Sequence, residues 1–179
     1  IVSENYDPND VTIIGNSPNS HLLVLSNCHH VTVRGLTFKA EEDASICLTI
    51  ESSHHTLVEY CRFFGGDDHF TVYYAGPKLA AGTATLAAYQ NGQLDAHNVF
   101  TNNVVYSTWN GDALAFSLQK DGEVSNNVCR GGKIAIYMVV NCDVFYNRVI
   151  ASHSHGIVVS LPTHNTRVYG NYIREPTSS

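Results

Sequence analysis

Positive charge is scarce in this chain. Lys and Arg number 10 in 179 residues against 16 Asp and Glu, a formal net charge of -6. Binding a nucleic acid backbone needs clustered cations that displace counterions. No run of Lys or Arg occurs in the sequence, so nucleic acid is set aside as a partner. Charge of either sign is sparse, at 15% of residues, below the roughly 25% of ordinary soluble domains. No apolar run reaches the roughly 18 to 20 residues of a membrane span, and none is expected. No basic segment leading into an apolar stretch opens the chain, so no signal peptide is visible. The start at Ile1-Val2-Ser3 fits a mature form or a fragment of a longer chain. The five cysteines (Cys28, Cys47, Cys61, Cys129, Cys142) are odd in number and lack C-x-x-C spacing, which argues against a zinc ribbon or redox motif. Buried free thiols are the expectation. No amphipathic period of 3.6 persists, so helices do not form the repeating unit.

What is present is a repeat. Val, two residues, a polar or small residue, one residue and an apolar residue recur from Val33, Val58, Val99, Val124, Val144 and Val168. About ten residues before each Val lies a second run rich in β-branched and aromatic residues, over 21–26, 46–50, 70–75, 113–118, 134–140 and 157–161. Several short strands per repeat, joined by turns too short for helical crossovers, make each repeat one coil that stacks on the next. A coil cannot bury its own apolar face, so stability comes from its neighbours. The six Val residues are expected to be equivalent and inward. Asn102, Asn127, Asn147 and Asn171 are expected to form a ladder that satisfies turn backbone. The larger spacing between Val58 and Val99 implies an insertion at 77–95, where an extra loop builds a wall of a binding face or is a tolerated surface excursion.

The Val-x-x-Asn-x-Val repeat resembles that of the pectate-lyase-like superfamily, over residues 11–173. The resemblance implies an all-β, right-handed parallel β-helix of six to seven coils, here taken as one domain over 1–179. That superfamily includes pectin and alginate lyases, polygalacturonases, epimerases and the trimeric tailspikes and appendages of bacteriophages. Gly66-Asp67-Asp68 and His155-Gly156-Ile157 are similar to two polygalacturonase elements. They stand three coils apart rather than one, and no Arg-x-Lys element follows, so they do not assign that activity.

Stacking brings equivalent positions of successive coils into columns. At the start of the first strand of each coil stand Asp43, Asp67-Asp68, Asp112, Lys133 and His155. Asp68 and Asp112 are the candidate general acid and base for a glycosidic bond. Asp67 supports them, with Lys133 as an anchor for a substrate carboxylate and His155 as a proton shuttle. The competing reading is that Asp is simply a common turn residue. A calcium-dependent lyase would need a larger acidic cluster. The pairs His29-His30 and His54-His55, with His97 and His164, read as a stacked turn ladder rather than a metal site. No metal ion or cofactor is expected.

Strand alternation, with Leu114, Phe116 and Leu118 inward, turns Cys47, Thr49, Thr71, Tyr73, Ala115, Ser117, Ala135, Tyr137, Val158 and Ser160 outward. This uncharged strip suits a sugar platform, with Tyr73 and Tyr137 as substrate contacts, or a contact between copies. Two readings follow. One is a polysaccharide-processing enzyme, hydrolase or lyase, such as a tailspike depolymerase. The other is a non-catalytic structural or adhesive β-helix of a viral tail appendage. Either is expected to be a homotrimer, located outside the cell or on a virion.

Overall fold

A computed structural model describes residues 1–15, 21–41, 46–65, 70–81, 85–107, 111–150 and 155–174. The strands stack into a parallel β-helix of about six turns with three long sheets. Sheet I holds His21–Ser26, Ile46–Glu51, Phe70–Gly76, Asp112–Ser117, Lys133–Tyr137 and Ile157–Ser160. Sheet II holds Thr32–Arg34, Leu57–Glu59, Val99–Thr101, Glu123–Ser125, Asp143–Phe145 and Arg167–Tyr169. Sheet III holds Thr12–Gly15, Thr37–Ala40, Arg62–Phe64, Val104–Tyr106, Val128–Arg130, Arg148–Ile150 and Tyr172–Arg174. Each turn runs from sheet I through II to III, and every neighbouring pair is parallel. A strand therefore meets its own counterpart one turn along, at about 4.8 Å.

The core is a set of apolar columns. Leu48, Val72, Leu114 and Ile134 form one, Ile50, Tyr74, Phe116 and Ile136 a second, and Phe38, Phe63, Val105, Cys129 and Val149 a third, all buried. In sheet II the column is Val33, Val58, Phe100, Val124, Val144 and Val168. Five of the six valines expected to be equivalent are so, though Val168, on the last turn, is 44% exposed. The exception is Val99. It pairs with Leu57 and Glu123, while Phe100 takes the inward position and is fully buried.

The same one-residue offset corrects the asparagine ladder. Asn103, not Asn102, joins Asn127, Asn147 and Asn171. The backbone N–H groups of Cys61, Asn103, Asn127 and Asn147 donate in turn to the side-chain oxygens of Asn103, Asn127, Asn147 and Asn171 at 2.9, 2.9, 3.0 and 2.9 Å. Asn102 instead takes the left-handed turn position with φ 55°, shared by Gly35, Tyr60, Asn126, Tyr146 and Gly170.

Four cysteines are buried and Cys28 is half-buried, all free. The insertion carries an unexpected short helix, Thr85–Gln90, whose Ala88 is buried. It returns through Asp95–Ala96, which pairs with Gln119–Lys120. No helix among the described residues is long and apolar enough to cross a membrane.

Candidate functional site

The expected column at the start of sheet I is met in part. Asp112 and Lys133 are register partners on adjacent turns, and Lys133 Nζ lies 2.8 Å from Asp112 Oδ1. Two local features bring them together. The ladder slips by one residue between Asp112 and Leu114, a bulge that re-aims the carboxylate. The connection before Lys133 is only Gly131-Gly132. A Cβ at Gly132 would stand 2.7 Å from Ala113 N and Gly111 O, so the close approach of these turns requires glycine.

Tyr137 closes the other side. Its hydroxyl donates to Asp112 Oδ2 at 3.2 Å. Between the two residues stand the outward positions of Ala115 and Ala135, which are register partners and fully buried. Burial, and then the charge of Asp112, push the Tyr137 hydroxyl up to about 12, so it is a proton donor at neutral pH. Phe70 is the register partner of Asp112 on the preceding turn, and its ring stacks on Tyr73 at 4.3 Å. Burial raises the Tyr73 hydroxyl above its ordinary value. Asp112, Lys133 and Tyr137 thus form a polar cluster beside an aromatic pair. Asp112 is 4% exposed, and the Lys133 side chain 25%.

Asp67, Asp68 and Asp43 lie outside the described residues. Ile134 N donates to Gly156 O at 3.0 Å, which puts Gly156 beside Lys133 and His155 one residue before it on the next turn. The expected outward strip is not an open ribbon. Cys47 and Thr71 are buried where sheet III turns into sheet I. There the Cys47 thiol donates to Phe64 O at 3.4 Å, and the Thr71 hydroxyl to Gly65 O at 2.7 Å. Thr49, Ala115, Ser117 and Ala135 are buried too, leaving Tyr73, Tyr137, Val158 and Ser160 partly exposed. The Tyr137 contact with Asp112 had no signal in spacing, because the two residues stand at opposite ends of neighbouring strands.

The histidines stack as expected of a turn ladder. His29 lies on His54 at 5.3 Å, and His30, His55 and His97 follow one another at 4.6 Å. His54 Nδ1 accepts from Ala96 N at 2.8 Å, which fixes its tautomer. His164 sits further along, bridged to Val140. Among the described residues no group of three His, Cys, Asp or Glu is arranged to hold a metal ion.

Chemically, a nearly buried carboxylate with an ammonium and a hydroxyl on its two oxygens is held in one orientation, as a group that reacts with a bound substrate must be. Lys133 keeps further donors for a ligand. A parallel β-helix is compatible with binding and processing polysaccharides, and fold alone does not decide between them. No protein-family model, no curated protein and no solved structure matches this chain.

Proposed function

We propose that this protein binds and processes a polysaccharide on the outer side of sheet I. The observation carrying the reading is the cluster of Asp112, Lys133 and Tyr137 beside the stacked Phe70 and Tyr73 rings. A sugar ring offers apolar C–H faces that pack on tyrosine and phenylalanine, and hydroxyl or carboxylate groups that pair with lysine. Asp112 is the reacting carboxylate, Lys133 the anchor, and Tyr73 and Tyr137 the flanking contacts. Asp68 is the partner carboxylate, supported by Asp67 and His155. The likeness to pectate-lyase-like and tailspike proteins belongs to this proposal, as does an extracellular or virion location. Incubation with a panel of acidic and neutral polysaccharides, monitored for new reducing ends and unsaturated products, tests it. Product from at least one polymer supports the reading, and the absence of any product rejects it.

The second reading is a non-catalytic homotrimer. It is favoured by the bonds that Asp112 makes inside the chain, to Lys133 and Tyr137, and by the uncharged character of Tyr73, Tyr137, Val158 and Ser160. Light scattering that finds a monomer at all concentrations rejects the trimer.

A further inference from the structure

Folding gathers the scattered cations. Half of the Lys and Arg residues, Lys39, Arg62, Arg130, Arg148 and Arg174, lie on the outer face of sheet III, and no Asp or Glu occurs in its seven strands. Four of them are exposed and Arg62 is half-buried. The sequence, read as lacking any basic cluster, conceals it because register alone assembles it.

Among the described residues these cations also lack the ion pairs made on the other two sheets. Sheet II pairs Arg34 with Glu59 and Arg167 with Asp143, and sheet I pairs Lys133 with Asp112. Among the described residues none of the five on sheet III forms a salt bridge. A face shaped only for solubility mixes signs, and a chain of net charge -6 has ample anions to do so. Flat rings are interleaved with the cations. Phe64 and Tyr106 stack at 4.8 Å, the Arg130 guanidinium lies 5.7 Å from the Tyr106 ring centre, and Arg148 lies 5.6 Å from that of Tyr172. At the margin, Arg62 and Val104 join Tyr6, Pro8, Tyr60 and Asn102 around a cavity of about 210 Å³.

We propose that the outer face of sheet III is a docking face for a linear acidic polysaccharide lying along the solenoid axis. Strands repeat at about 4.8 Å, so Lys39 and Arg174, five steps apart, span about 24 Å. Five of the six strands from Thr37–Ala40 to Tyr172–Arg174 supply one cation each. That density suits a polymer with one carboxylate per sugar, gripped by guanidinium forks while sugar rings stack on Phe64, Tyr106 and Tyr172. Duplex DNA carries one charge per roughly 1.7 Å, nearly three times as dense, and this flat face offers nothing to enter a groove. A second copy presenting the same face would meet like charge. The partner class is that of the sheet I site, but the residues are different, so the two readings fail separately.

Titration calorimetry of the whole chain tests this with polygalacturonate and alginate as acidic polymers, dextran as a neutral one, and a short DNA duplex. An acidic polymer is expected to bind and dextran not, with affinity falling as salt rises. The R130Q/R148Q variant should lose about tenfold in affinity and flatten the salt dependence by about two charges, with an unchanged melting temperature. R130K/R148K should keep most of the affinity. Equal binding of dextran, tighter binding of the duplex, unchanged affinity in R130Q/R148Q, or no binding of either acidic polymer overturns the proposal. Cleavage at sheet I has no bearing on these outcomes.

Discussion

The backbone N–H of Asn103 donates to the side-chain oxygen of Asn127 at 2.9 Å, and the Asn127 amide in turn donates to Phe100 O at 2.9 Å. One fully buried side chain thus satisfies backbone groups in the preceding turn of the solenoid. Replacing it with alanine strands a donor and an acceptor, at about 1–3 kcal/mol each. Asn127→Ala should therefore lower stability by about 2–6 kcal/mol in urea unfolding. A loss below about 1 kcal/mol would contradict the ladder's role.

The offset at Val99 and Phe100 gives a sharper test of register. Phe100→Ala should cost about 3–5 kcal/mol, as a cavity in the core does. Val99→Thr, on the outer side of the same strand, should change stability by less than about 1 kcal/mol. Reversed magnitudes, measured by the same unfolding experiment, would move the strand by one residue.

The repeat made the architecture readable from sequence because five turns carry the same inward Val and four carry a ladder Asn. It misassigned the turn containing Val99-Phe100 and Asn102-Asn103, where doubled apolar and doubled Asn residues fit the motif in two registers. Phe fills the inward position there, so a pattern anchored on Val chose the wrong member. Asp112 and Lys133 were legible as neighbours because each opens a sheet I strand. Tyr137 was legible as an outward aromatic but not as a partner of Asp112. The basic face of sheet III was hidden because its cations come from five separate turns and are never adjacent in sequence.

Asp95 is 1% exposed and accepts from Ser53 N at 2.9 Å. Burial outweighs that bond and the nearby His54 and His29, and with Glu51 close by its carboxyl is held above the ordinary range. The unfolded chain releases this proton near pH 3.9, while the folded chain keeps it to higher pH. The folded state then binds more protons, so the stability due to Asp95 falls as pH rises from about 4 through the raised native value. Asp95→Asn should match the wild type near pH 3 and exceed it at pH 7 in thermal unfolding. A gap that is constant with pH, or reversed, would show that the Asp95 carboxyl is not held above the ordinary range.

At the sheet I cluster, Asp112→Asn preserves shape and can still accept from Tyr137, but removes the charge. The Lys133 side chain is 25% exposed and can turn to solvent, so the melting temperature should change little. The most direct measurement is the initial rate of wild-type and Asp112→Asn protein on whichever polysaccharide the wild type cleaves. The account predicts a loss of about 10²-fold or more, as for a general acid–base group, with folding intact. Cleavage by Asp112→Asn at the wild-type rate would contradict it.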